Sequence, residues 1–139
     1  MIVLDTNVLS EALKPSPSDA VLRWLAAQEP LAVFITTITQ AEVLYGIELL
    51  PAGKRRVRMS TAIDKLLADE FKGRILPFDE ESARLFPKIV AGREALGRPI
   101  AQFDAMIAAI VRSRHAAIAT RNTNDFEHCN IRTINPWTE

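Results

Sequence analysis

The chain has 139 residues, 48% of them hydrophobic and 24% charged, with 17 basic residues against 17 acidic ones. This composition excludes a disordered chain, and a net charge of zero excludes a protein that coats nucleic acid by bulk charge, so any such contact must use a local patch. One cysteine, Cys129, excludes an intramolecular disulfide; with no apolar run of membrane-spanning length and no basic leader before Ile2-Val3-Leu4, the expectation is a cytoplasmic protein, off the membrane, with one domain over residues 1–139.

Ile2-Val3-Leu4 reads as a short buried strand ending at Asp5. Asp5 or Asn7 can cap a helix from about Val8 to Leu13, which Pro15 and Pro17 stop. Ser18 or Asp19 caps a second helix with Val21, Leu22 and Leu25 on one face. Pro30 closes it, and Ala32-Val33-Phe34-Ile35 is a second buried strand. A helix is expected from about Thr39 to Leu50, stopped by Pro51 and Gly53, and a long charged helix from Lys54 to Phe71. Gly73 precedes a brief strand, Arg74-Ile75-Leu76. Asp79 to about Leu96 reads as a helix with Pro87 and Gly92 as kink points. After Gly97 and Pro99, Ala101 to Arg114 has an apolar helical face. Ala117-Ile118-Ala119-Thr120 and Ile131 to Ile134 complete the strands. Alternating strands and helices imply a parallel sheet with helices on both faces. In such a sheet, ligands bind beyond the carboxyl ends of the strands.

Several acids fall at that edge. Asp5 follows the first strand, and Asn122 and Asp125 follow the strand ending at Thr120. Glu42 is expected in the first turn of the helix after the second strand, and Asp104 in the first turn of the helix after Pro99. Each has a purely structural alternative: Asp5 as a cap, Thr39-Gln40-Ala41-Glu42 as a capping box, Asp104 as a complement to a helix dipole, Asn122 to Asp125 as a turn. Two features favour a shared site. Asp104 is flanked at helical spacing by Ile100, Ala101, Ile107, Ala108 and Val111, and Glu42 by Ile38, Ala41 and Tyr45, whereas acids seldom face a core unless paired or metal-bound. Convergence is the second: two carboxylates about 4 Å apart repel by ~4 kcal/mol at an effective dielectric near 20, so a cluster must take up protons or bind a cation. Oxygen ligands without histidine or cysteine favour Mg²⁺ or Mn²⁺, and a hard cation held by acids suits phosphodiester hydrolysis.

With these residues in place, the chain resembles the VapC-type PIN-domain nucleases, the toxin half of bacterial toxin–antitoxin pairs. The resemblance covers the whole chain and rests on Met1-Ile2-Val3-Leu4-Asp5-Thr6-Asn7, Ala41-Glu42, Phe103-Asp104-Ala105-Met106-Ile107-Ala108 and Ala119-Thr120-Arg121-Asn122-Thr123-Asn124-Asp125-Phe126. Leu76-Pro77-Phe78-Asp79 and Asn135-Pro136-Trp137 resemble the FitB-like subgroup. The resemblance implies a three-layer α/β/α sandwich around a parallel sheet and a Mg²⁺-dependent endoribonuclease acting on structured RNA such as tRNA. It also implies a VapB-like antitoxin partner, a homodimer or a hetero-oligomer with that antitoxin, and contact with DNA only through it. The metal-binding, catalytic acids become Asp5, Glu42 and Asp104, with Thr6 orienting a ligand or water. The fourth acid departs from the subgroup: Asn122 stands where an aspartate can occur, so Asp125 is expected to contact metal through water, with Asn122, Thr120 and Arg121 in support. Two other readings remain: a DNA-binding regulatory complex with weak or no nuclease activity, and a metal-dependent phosphatase.

Lys54-Arg55-Arg56-Val57-Arg58 reads equally as a solvated helix face or an RNA-phosphate contact. Arg112, Arg114 and Arg121 are candidates for a positive rim. His115 and His128 have no metal-ligand spacing. Leu9, Leu13, Leu22 and Trp24 read first as core and second as a partner groove.

Overall fold

A computed structural model describes all residues, 1–139. Five strands carry the fold: β1 (Ile2–Leu4), β2 (Val33–Thr36), β3 (Ile75–Leu76), β4 (Ala117–Ala119) and β5 (Arg132–Ile134). They form one sheet in the order β3-β2-β1-β4-β5, and every adjacent pair is parallel. The expected parallel sheet is therefore present, with β1 at its centre. Asp5 continues the ladder by donating its backbone N–H to the Ala119 carbonyl at 2.9 Å, and Thr120 does the same to Ile134 at 2.8 Å. Both residues thus stand just past the carboxyl ends of adjacent strands.

Six helices cover the sheet: α1 (Thr6–Ala12), α2 (Asp19–Ala26), α3 (Thr37–Glu48), α4 (Lys54–Lys65), α5 (Glu80–Ala95) and α6 (Gln102–Ser113). Side chains alternate across a strand, and the core divides accordingly. Val3 and Ile118 point into a cluster with Ile89 of α5 and Ile107, Ile110 and Val111 of α6. Leu4 and Ala119, one residue on, enter a second cluster with Val8, Leu9, Val21 and Ile35. Apolar layers on both faces give the three-layer α/β/α arrangement. Ala105, Ala108 and Ala109 of α6 are fully buried, and their small side chains let α5 pack closely beside it.

Several boundaries differ from expectation. Asp5 caps α1, accepting from the Thr6 N–H, so the helix starts at Thr6 rather than Val8. Thr36, not Thr39, caps α3: its hydroxyl accepts from the Thr39 N–H at 3.1 Å. That shift dissolves the capping-box reading and moves Glu42 into the second turn. The charged helix ends regularly at Lys65 and widens into a π-helical turn, Leu66–Glu70, after which Phe71 is buried. α5 runs through Pro87 and Gly92 without interruption. Leu22 faces outward, 41% exposed, while Val21 is buried and Trp24 and Leu25 pack against the second cluster. Leu9 is core, and Leu13 packs partly buried beside it. No helix is long and apolar enough to cross a membrane.

Candidate active site

Asp5 is 6% exposed, and its two carboxylate oxygens are held separately. Oδ1 accepts from the Thr6 N–H at 2.8 Å. Oδ2 accepts from the Thr120 hydroxyl at 2.8 Å and from the Asn7 side-chain amide at 3.3 Å. Adjacent parallel strands make this possible, since Leu4 pairs with Ala119 and sets the two following residues side by side. Asn7 also donates to Thr120 Oγ1 at 3.3 Å and accepts from the Arg121 N–H at 3.2 Å. Thr120 Oγ1 takes a further bond from the Asn122 N–H at 3.1 Å. Asn7 and Thr120 therefore tie the first strand's end to the fourth's around one carboxylate.

Glu42 is reached from another side. The Thr6 hydroxyl donates to Glu42 Oε1 at 2.8 Å. Its single hydrogen is thereby committed, so the 3.0 Å contact between the Thr6 and Thr39 hydroxyls has Thr39 as donor. Glu42 is half-buried, but Ala41 and Tyr45 beside it are exposed, which corrects the expectation of an apolar flank: Glu42 faces α1, not the core. It also borders a cavity of about 360 Å³ between α1, α3 and α4, with Lys14 and Arg55 among the walls.

Asp104 lies in the first turn of α6 and completes the group electrostatically. Burial first, then the charges of Asp5, Asp125 and Glu42, push its carboxyl up to about 6. Asp5 is also raised, by burial first and by Glu42 and Asp125 in smaller part, against the hydrogen bonds from Thr120 and Thr6 that favour its ionised form. The four acids singled out in the sequence thus share one electrostatic neighbourhood. They do not close into a ready-made cage: no three His, Cys, Asp or Glu side chains stand as a preformed metal cluster. An all-oxygen set of this kind fits a hard divalent cation, which commonly takes only one or two carboxylates and keeps several waters.

Asp125 sits in a short 3₁₀ turn, Thr123–Phe126, whose buried Phe126 anchors it to the core. Asn122 is exposed and enters the network through its backbone N–H alone. Arg121 is exposed, with its guanidinium 5.1 Å from the centre of the Trp137 ring. Arg112 and Arg114 do not rim the site. They lie at the other end of α6, about 12 Å along the helix from Asp104, and Arg114 faces Asp79 at 3.8 Å. In the basic run, Arg56 pairs with Glu48 at 2.6 Å and Lys54, Arg55 and Arg58 are exposed. His115 and His128 are exposed and take positive φ values of 52° and 61° in turns. Asn7 and Thr39 are both expected from the sequence as helix caps, and both instead place their side chains in this network. The run of three polar residues, Asp5-Thr6-Asn7, at the end of a strand is the signal for the first, and nothing local marks the bond from Thr39 to Thr6.

The PIN domain family model matches residues 2–130. The chain is 39% identical to VapC ribonuclease Y4jK of Sinorhizobium fredii, covering 99% of this chain and 98% of that protein. It is 37% identical to Toxin FitB of Neisseria gonorrhoeae, covering 99% of each. It is 30% identical to the tRNA(fMet)-specific endonuclease VapC of Shigella flexneri, covering 97% and 96%. Among solved structures, FitAB bound to the IR36 DNA fragment contains a chain that superposes with a TM-score of 0.94 at 37% identity, covering 99% of this chain and 96% of that one.

Proposed function

The chain belongs to the PIN-domain family, and from that premise we propose that it is a Mg²⁺-dependent endoribonuclease, the toxin of a VapBC-like toxin–antitoxin pair, acting on structured RNA such as tRNA. The observation that supports this reading is that the charges of Glu42 and Asp125 act on Asp5, and those of Asp5, Asp125 and Glu42 on Asp104, past the carboxyl ends of the strands, with hydroxyls from Thr6 and Thr120 directed at Glu42 and Asp5.

In this reading Asp5, Glu42 and Asp104 hold the cation directly and Asp125 through water, with Mn²⁺ as an acceptable substitute for Mg²⁺. When bound, the ion supplies an activated water and neutralises charge on the phosphate. The protein's own part is positional. Thr120 and Asn7 fix one edge of Asp5, Thr6 fixes Glu42, and Thr39 fixes Thr6. Ligands held in this way lose little freedom on loading. Arg121, at the site's margin, offers a cation to the RNA backbone, and Asn122 supports the turn behind it. The whole chain, 1–139, acts as one domain in the cytoplasm, away from membranes. A VapB-like antitoxin silences it in a hetero-oligomer, or it forms a homodimer, and DNA is met only through that partner, a role supported by the likeness to FitAB on DNA.

The test is cleavage of total tRNA by the purified protein. Cutting should require Mg²⁺ or Mn²⁺, stop in excess EDTA, resume on adding Mg²⁺, and vanish in Asp5→Ala. Full activity in EDTA overturns the reading. If the chain binds operator DNA with its partner yet neither cuts RNA nor arrests growth alone, the regulatory alternative replaces it.

A further inference from the structure

Arg93 of α5 is the one basic side chain buried in the protein, 6% exposed, and no carboxylate lies within ion-pair distance of it. A guanidinium taken out of water must find other partners for its N–H groups. Those of Arg93 are backbone carbonyls, one five residues along the chain and two from the segment after β4. Nε donates to the Arg98 carbonyl at 2.7 Å. Nη1 donates to the Asp125 carbonyl at 2.8 Å and the Glu127 carbonyl at 3.0 Å, and lies 3.7 Å from Cys129 Sγ.

The turn it grips is anchored on one side by buried Phe126, and Arg93 holds the backbone on either side of that ring. Thr123–Phe126 is a single 3₁₀ turn, with backbone bonds from Asp125 to Asn122 and from Glu127 to Asn124. Asp125 itself is exposed and makes no side-chain hydrogen bond that would aim its carboxylate. Asp5, by contrast, has three side-chain or backbone donors of its own. The backbone therefore sets where the Asp125 side chain starts, and the carbonyl of the same residue is the atom Arg93 holds.

We infer that Arg93 is the positioning residue of the site's fourth carboxylate: it fixes the Asp125 backbone against α5 so that Asp125 faces Asp5 and Asp104. The inference rests on the metal-dependent reading proposed above. Arg93 touches neither substrate nor cation. Its positioning effect passes through the backbone of Asp125, as an outer-shell group acts through the ligand it orients, while its charge also favours the ionised form of Asp104.

The experiment is Mn²⁺ binding, followed by the electron paramagnetic resonance of the free ion. The proteins are wild type, Arg93→Lys, Arg93→Met, Asp125→Asn, Asp5→Asn and the Arg93→Lys/Asp125→Asn pair, each with its fold checked by circular dichroism. Lysine keeps the charge but cannot span three carbonyls in a fixed fork. Arg93→Lys and Asp125→Asn should each weaken Mn²⁺ binding about 10-fold, and the double variant should bind no more weakly than Asp125→Asn alone. A purely structural role would lower thermal stability yet leave Mn²⁺ affinity at lower temperature unchanged, and that result overturns the inference. Multiplying losses in the double variant, or failure of both Arg93 variants to fold, also overturns it. The two levels separate cleanly. A wild type that binds no Mn²⁺ removes the metal reading together with the inference. A wild type whose binding is lost in Asp5→Asn but kept in Arg93→Lys removes only the inference.

Discussion

Thr6 and Glu42, 36 positions apart in the chain, are joined by a 2.8 Å hydrogen bond from the Thr6 hydroxyl to Oε1. The bond locks the start of α1 to the second turn of α3 and sets the direction of a carboxylate that has no backbone donor. Thr6→Val keeps the branched shape and removes the donor. It should lower RNA cleavage about 10-fold, the low end for loss of an outer-shell bond, with little change in circular dichroism. Thr6→Ser should restore most of the rate. Equal rates in valine and wild type would show that Glu42 needs no orientation.

Asp5 has two roles that one substitution separates. Asp5→Asn retains an oxygen to cap α1 but removes a buried negative charge whose ionisation burial and its neighbours oppose. Cleavage should fall to background, while the metal-free variant unfolds at higher denaturant concentration than metal-free wild type at pH 7. A variant less stable than wild type in EDTA would mean that repulsion at this point is negligible.

Asp104 gives the metal-free protein a pH dependence of known sign. Its carboxyl is raised from 3.8 to about 6 in the folded chain, so between those values the native state holds more protons than the unfolded one. The contribution of this carboxyl to stability therefore falls as pH rises through that window and levels off above it. Denaturant titrations in EDTA from pH 4 to 7 should show this decline, and Asp104→Asn should flatten it. Saturating Mg²⁺ should reverse it, since a bound cation favours the ionised carboxylate. A curve rising over this range in EDTA would contradict the geometry.

The choice between Asn122 and Asp125 as the fourth member can be read directly. Asn122 contributes only a backbone N–H, to Thr120 Oγ1, so Asn122→Ala should change cleavage less than about twofold. Asp125→Asn removes a carboxylate that acts on both Asp5 and Asp104. It should cost about 10-fold or more in metal affinity. The opposite ranking, in a Mg²⁺ titration of cleavage rate, would return the role to Asn122.

Ile107 sits one turn after Asp104 and is fully buried in the cluster between α6 and the sheet. Ile107→Ala should cost about 2–5 kcal/mol, measured by equilibrium unfolding, and should lower cleavage only where the fold is lost. A loss under 1 kcal/mol would mean that the layer can collapse around the gap.

β1, β2 and β4 were legible because apolar runs of three or four residues end at polar ones, and Ile2-Val3-Leu4-Asp5 states both the strand and the acid at its tip. The alternation of strand and helix then fixed the sheet as parallel, and with it the edge where Asp5, Asp104 and Asp125 would meet. What local pattern could not decide was which of several equivalent residues wins a role. Thr36 and Thr39 can both cap a helix, and Thr36 prevails because it ends β2 in extended geometry. Leu22 and Trp24 both suit a buried face, and only the approach of α2 to the sheet selects Trp24. Arg93 was invisible for a different reason: its partners are carbonyls, which every residue has, and two of them lie 32 and 34 positions away.

The central place of β1 has a consequence for synthesis. β1 has one neighbour within reach once residue 34 has emerged, but its other edge stays open until residues 117–119 are translated. Until then Asp5 has neither the Thr120 hydroxyl nor Asp125 beside it. Pairings between such distant segments close late in folding. A nascent or truncated chain that stops before residue 120 therefore carries the acids of a cutting centre without its last wall.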